Sequence, residues 1–441
     1  MKTMDLTKGH VFNVLLTMAL PIIGSSVLQY TFSLVDMLLV GQLGYDAVAS
    51  IGSASFLINV GYAINACVVV GTGIKVAHAI GANQDELKSR YVNAGFFLNG
   101  IVALLFAIIM LCMGQPFLHF LELEGAIFDM SYAYLLVSIP TLAIAFFNLW
   151  YTRLYNSFGS NQSALKISVI GVVLNIVLDL VFIYGLNLHV IGAGLATLTA
   201  NLVMFSLFFI QSRNIFQLRL SVKHQWTDIK AILTLGIPSA IQRVLFTLIN
   251  IMMARFIARY GAEAIAAQKI ALQIESVTFM VVGGLNGAIA AFIGQNFGAK
   301  QVRRITAGVR ASLTMGTCYA LVTTAILYTF GHVIASLFVQ DEQTIHIATN
   351  YLKIVGLSQL FMAIEQILNG IFTGLGLPKI PATISILFTL GRIPLALAFM
   401  PLFGIDGIWL SIAISSVMKG IAALIMYVVQ IKRGGLNVTT A

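Results

Sequence analysis

Two aspartates, Asp36 and Asp179, interrupt long apolar stretches that contain no other acid. A carboxylate facing hydrocarbon is costly, so each must line a cavity or meet a partner. Asn175 stands four places before Asp179, and Asn201 four places after Thr197. On a helix that spacing puts each pair on one face. Asp36 lies about 5 residues, or roughly 8 Å, from the outer end of its stretch, and Asp179 and Thr197 about 7 residues from theirs. Two acids and several neutral amides and hydroxyls therefore share a depth. Two carboxylates in a low-dielectric cavity cannot both ionise cheaply, so a proton belongs to the pair. The arrival of a proton would change the charge of the cavity, repacking the helices or weakening a bound cation. Pro21, about four turns before Asp36, removes a backbone donor and is a candidate hinge. The plainer alternative is that these polar groups glue helices together.

The second half carries different chemistry. Arg243, Arg392 and Lys419 fall near mid-stretch, as does Glu275, with Glu365 nearer the inner side. Pairing of an arginine with Glu275 or Glu365 would neutralise charge in the interior. Alternatively, Gln268 and Glu275, on one helical face, line a substrate path together with Glu365 and the adaptable side chain of Met253. Excess basic charge here would also suit an anionic head group. There is no HExxH, GxSxG or phosphate-loop lysine, so neither an enzyme nor an ATP motor is expected. Cys67, Cys112 and Cys318 are scattered and the histidines lack ligand spacing. No metal or cofactor is expected beyond a coupling ion, H+ or possibly Na+.

These residues need helices to hold them. Of 441 residues, 59% are apolar and 9% charged, where a soluble domain carries about a quarter charged residues. Apolar runs of about 20 residues recur throughout, each long enough to span a bilayer as a helix. Twelve spans are predicted, near 11–41, 48–76, 90–112, 130–155, 163–186, 190–212, 231–258, 262–296, 304–330, 345–373, 379–402 and 404–431. The first is too long for a secretory signal. Basic residues gather at both ends (Lys2, Lys8, Lys432, Arg433) and in alternate loops (Lys88, Arg90; Lys166; Arg213, Arg219, Lys223, Lys230; Lys300, Arg303, Arg304; Lys379). Acids mark the other loops, with Arg255 and Arg259 as exceptions. Both termini are therefore expected in the cytoplasm, and the net charge of +9 reflects loops rather than nucleic-acid binding.

The longest polar connection divides the chain into an N-terminal six-helix bundle, 1–212, a cytoplasmic linker, 213–230, and a C-terminal six-helix bundle, 231–441. The halves repeat. Pro21 matches Pro238, Gly44 matches Gly261 and Gly159 matches Gly376, all 217 places apart. Ile80-Gly81-Ala82-Asn83 matches Ile293-Gly294-Gln295-Asn296 at 213. Six spans per half make a parallel repeat, a design that places substrate between halves and alternates access.

Ala19-Leu20-Pro21, Val35-Asp36 with Val40-Gly41, the two Ile-Gly-x-Asn motifs and Asn175-Ile176-Val177-Leu178-Asp179 together resemble the multidrug and toxic compound extrusion family over about residues 10–431. The resemblance implies an all-α integral membrane protein whose two bundles form a V. It implies a monomeric, cation-driven antiporter in the cytoplasmic (inner) membrane that expels amphipathic, cationic or aromatic drugs and contributes to antibiotic resistance. An acid in the first span with Asn175 and Asp179 looks like the proton-linked branch. The family's sodium-linked pattern puts acids in the seventh and tenth spans. Here the seventh offers Gln242 and Arg243, and only the tenth has an acid, Glu365. The competing readings are sodium-coupled efflux and a flippase for a lipid-linked oligosaccharide or cell-wall precursor, which the basic residues of the second half would suit.

Overall fold

Hydrocarbon offers no hydrogen bonds, so each apolar run must satisfy its own backbone. The computed structural model describes residues 4–216, 218 and 225–432, all helix or short turns, with no strand among them. The extreme ends of the chain and the centre of the expected linker, with Lys2, Arg219, Lys223 and Arg433, lie outside the described residues. The first half contains α1 (Val11–Gly41), α2 (Tyr45–Gly81), α3 (Asp85–Phe120), α4 (Gly125–Ser157), α5 (Asn161–Asp179) and α6 (His189–Ser212). A π-helical segment, Leu180–Gly185, continues α5. The second half contains α7 (Trp226–Ala258), α8 (Ala262–Gly298), α9 (Val302–Ser336), α10 (Glu342–Gly356), α11 (Gln359–Gly374), α12 (Lys379–Leu390), α13 (Arg392–Phe403) and α14 (Ile405–Lys432). Among the described residues 11 helical segments are long and apolar enough to cross a membrane, and α10 with α11, bent by 54°, form a twelfth span. The expected spans are all present. The tenth is broken at Leu357–Ser358 and the eleventh at Gly391, which their hydropathy did not reveal.

The repeat is written in the backbone. Gly44 and Gly261 precede α2 and α8 with φ of 104° and 97°. Gly159 and Gly376 follow α4 and α11 with φ of 70° and 77°. A side chain is disfavoured at such angles, so glycine recurs. Asn83 and Lys300 close α2 and α8 in the same left-handed conformation, φ 53° and 58°, again 217 apart. The match of Asn83 to Asn296 is therefore displaced by about one helical turn: Asn83 sits in a turn, whereas Asn296 lies inside α8.

The chain forms two compact units. Unit 1 holds Met1–Asp5 and Leu20–Ala240, and unit 2 holds Leu6–Ala19 and Ile241–Ala441. The units thus exchange the starts of α1 and α7, and each exchange falls close to a proline, Pro21 or Pro238. Within unit 1, α4 packs on α2, α3 and α6. The start of α7 approaches α2 backbone to backbone: a Cβ on Gly236 would lie 1.7 Å from the Cys67 carbonyl oxygen. Within unit 2, α11 packs on α8, α9 and α14.

An arginine fastens each exchanged start. In unit 1 the Arg90 Nη2 reaches Asp228 Oδ1 at 2.9 Å and Gln225 Oε1 at 2.9 Å, while Nε reaches Asp228 Oδ2 at 3.1 Å. In unit 2 the Arg304 guanidinium donates to the carbonyls of Leu6 (3.1 Å), Lys8 (3.0 Å) and Gly9 (2.7 Å). Asn296 supports it by donating to the Leu6 carbonyl at 3.1 Å and accepting from Arg304 Nε. Arg304→Ala should destabilise the protein by about 1–3 kcal/mol, the worth of hydrogen bonds from a charged donor. In detergent, this should lower the melting temperature and speed proteolysis within residues 6–19, with cleavage elsewhere unchanged.

Candidate functional site

The polar interior of unit 1 is assembled from α1, α4, α5 and α6. Asp179, the last residue of α5, is fully buried, and Asn175, one turn earlier, donates to its Oδ2 at 3.3 Å. Asp36 on α1 acts electrostatically on Asp179, and both act on Tyr134 of α4. Oδ1 of Asp36 and Oδ1 of Asp179 are buried without a hydrogen-bond partner. Neither acid takes part in an ion pair among the described residues. Asp36, Asp179 and Asn175 are therefore brought together, and Tyr134 joins them.

Thr197 and Asn201 are engaged elsewhere. The Thr197 hydroxyl donates to the Ala193 carbonyl of its own helix at 3.0 Å. The Asn201 amide donates to the Thr197 carbonyl at 2.9 Å, and its Oδ1 accepts from Asn148 of α4 at 2.9 Å. These bonds tie α6 to α4. The Pro21 carbonyl accepts from the Ser25 hydroxyl at 3.0 Å, and Ser26 and Thr31 make the same back-bond to Ile22 and Val27. Such bonds compete with the backbone ladder and favour bending.

Two features of this interior were missed in the sequence. One is a stripe on α4: Ser131, Tyr134, Ser138, Thr141 and Asn148 follow at steps of three, four, three and seven residues, the spacing of a single helical face. The other is the π-helical segment after Asp179. Its Tyr184 hydroxyl donates to the Leu39 carbonyl at 2.7 Å and lies 3.1 Å from Gln42 Oε1, fastening α5 to the C-terminal end of α1. Single-turn π segments recur at functional sites, and no composition signal marks this one.

Unit 2 buries Glu275, Glu365, Arg392 and Lys419. Glu275 of α8 accepts from the Tyr351 hydroxyl at 2.8 Å and from Gln359 Nε2 at 2.7 Å, one residue on each side of the α10–α11 break. Glu365 of α11 pairs with Lys419 of α14 at 3.3 Å and accepts from Ser385 at 2.6 Å. Arg392, the first residue of α13, donates to Ser415 at 3.2 Å and stands 6.0 Å from the ring centre of Phe246. The expected interior pair thus forms, with Lys419 rather than an arginine as the base. Gln268 is half-buried on α8. Met253 is 2% exposed and packs among Ile249, Phe256, Ala271 and Trp409, so it lines no open path. Among the described residues no group of three His, Cys, Asp or Glu could hold a metal.

Comparison with known proteins places this geometry. The MatE family model matches twice, at residues 21–181 and 238–398, the same 217-place offset as the internal repeat. The probable multidrug resistance protein NorM of Thermotoga maritima is 26% identical over 430 residues, 94% of this chain and 91% of that protein. The multidrug export protein MepA of Staphylococcus saprophyticus is 26% identical over 444 residues, 98% of this chain and 97% of that protein. The crystal structure of the Vibrio cholerae MATE transporter VcmN in its bent form has the same fold, with a TM-score of 0.90, 22% identity and 97% of each chain covered. The chain belongs to the MatE family: it is a multi-pass membrane transporter and not an enzyme.

Proposed function

We propose that this protein is a proton-coupled antiporter that exports amphipathic cationic and aromatic compounds by alternating access. It would act as a monomer in the cytoplasmic membrane, with both termini in the cytoplasm. The observation that carries the proposal is the pair Asp36 and Asp179. Asp36 acts electrostatically on Asp179 inside one unit, and among the described residues neither acid takes part in an ion pair. Their charge must then be balanced by something that arrives, and a proton or a cationic substrate can do so in turn. Asn175 can donate to an ionised Asp179 or accept from a protonated one, so it tolerates both states. The names of the relatives, multidrug resistance and multidrug export proteins, support the substrate class.

Exchange follows from competition for the same negative charge. A cationic drug binds when the pair is ionised and is displaced when it is protonated. Proton-driven export then requires the proton to arrive from the outside, where both acids lie nearer by the charge pattern of the loops. In everted vesicles, ethidium transport should respond to an imposed pH gradient and not to a sodium gradient. Asp36→Asn and Asp179→Asn should each abolish it, a loss of at least tenfold. Transport driven equally by sodium, or a fully active Asp36→Asn, would overturn the proposal.

Pro21 supplies a movable point between Asp36 and the fastened start of α1. Pro21→Ala restores a backbone hydrogen bond and should stiffen α1. Its turnover under a pH gradient should fall severalfold, with ethidium affinity within about twofold of wild type. An equal loss of affinity would mean that the proline shapes the binding site instead.

A further inference from the structure

Unit 2 contains three cations near the middle of its spans, Arg243, Arg392 and Lys419, against two acids, Glu275 and Glu365. Four of the five are buried. Lys419 is paired with Glu365, and Glu275 is satisfied by a tyrosine and a glutamine. Arg392 is held by Ser415 and stands close to Glu275 and Glu365. Arg243 is different. It lies near the middle of α7, its side chain is exposed, and among the described residues it makes no ion pair.

An arginine at that depth cannot face hydrocarbon without large cost, so it must face an aqueous space. Phe246 shows which way α7 is turned. It lies three residues after Arg243, on the same helical face, and its ring meets the Arg392 guanidinium. Arg243 is therefore directed toward the side of unit 2 where the spans break. Thr247 and Asn250, on adjoining positions of α7, are also exposed and add polar surface. Interrupted helices with their ends at membrane depth are a common way for transporters to build binding sites. Here Arg392 stands at one such interruption against Phe246 of α7, and Arg243 one turn away is without an ion pair among the described residues.

We propose that Arg243 is the centre of an anion-binding site in unit 2, which takes the carboxylate or phosphate of an amphiphilic substrate. The guanidinium offers two parallel N–H donors to such a group. The two units then have opposite polarity: unit 1 presents two carboxyls and unit 2 an unpaired guanidinium. The ligands that this site favours are amphiphiles carrying an anionic group. This inference rests on the reading of the protein as a carrier of amphiphiles, but not on its coupling to protons.

The test uses two dyes that share one xanthene core. Rhodamine 19 carries a free carboxylate, and rhodamine 6G is its ethyl ester. Binding to the purified full-length protein is measured by fluorescence polarisation without any ion gradient, so a failure of proton coupling leaves the result unaffected. Wild type should bind rhodamine 19 more tightly than rhodamine 6G. Arg243→Gln should weaken rhodamine 19 by about tenfold, as expected for losing one charge-assisted contact, and change rhodamine 6G by less than twofold. Arg243→Lys, which keeps the charge, should recover part of the loss and shows that the fold tolerates substitution. Equal effects on both dyes, or no effect on either, would overturn the proposal. Nanodiscs with and without phosphatidylglycerol separate the sources of the anion. Competition by that lipid for rhodamine 19 in wild type, absent in Arg243→Gln, would support the site and identify a lipid phosphate as its occupant. Without competition, the selective loss of rhodamine 19 would support a site for soluble carboxylates.

Discussion

Inside a bilayer no solvent takes up a backbone group or a charge that the protein leaves unmatched. That constraint makes every span a helix, and it also fixes what must accompany each interruption. At the break between α10 and α11 the Gly356 carbonyl accepts from the Thr324 hydroxyl at 2.9 Å, and the Val355 carbonyl accepts from Ser358 at 2.8 Å. At the break between α12 and α13 Ser415 donates to the Phe388 carbonyl at 2.7 Å and receives Arg392. Polar and charged side chains thus collect where helices are interrupted, because each interruption creates polar groups that need partners.

The two units meet the same constraint in opposite ways. Unit 2 places acid against base: Lys419 and Glu365 are both buried, and Ser385 takes a remaining lone pair. Such a pair adds little net stability, since the desolvation of both ions offsets their attraction. Its effect is to remove two charges from the interior while fixing α11 against α14. In unit 1 neither Asp36 nor Asp179 takes part in an ion pair among the described residues. The repeat places Met253 where unit 1 has Asp36, and that side chain packs into the apolar core of unit 2. Duplication preserved the helices and turns, while the interior charges diverged.

Much of this was legible in the residues. The spans followed from apolar run length, and the pairs Pro21/Pro238, Gly44/Gly261 and Gly159/Gly376 marked the repeat because proline and glycine have backbone roles that few substitutes fill. The Ile-Gly-x-Asn motifs misled by about one turn, because similar residues at a helix end need not occupy the same backbone position. The acids were legible as well, since hydrocarbon makes a lone aspartate conspicuous. Their surroundings were harder to read. The α4 stripe with Tyr134 and Asn148 had the right period, but serine, threonine and tyrosine are common enough in spans to pass as packing. The partner of Glu365 could not be read, because several bases lay at a suitable depth and only the packing of α11 on α14 selects Lys419. Nor does hydropathy record a bend, so the broken tenth span read as continuous.

The proposed role of Asp36 depends on how α1 is held at its two ends. Arg304 holds the segment before α1 to unit 2, and Tyr184 holds the other end of α1 to unit 1 through the Leu39 carbonyl. Between these fixed points stand Pro21, where a backbone bond is missing, and Asp36. A proton at Asp36 can shift a conformational balance only if the two conformations bind it with different affinity. In the proposed coupling, a helix fastened at both ends supplies that difference, since any change in the surroundings of Asp36 must be absorbed along its length. It is absorbed most cheaply where the ladder is already interrupted. The proposed coupling site and Pro21 therefore lie on one helix, α1.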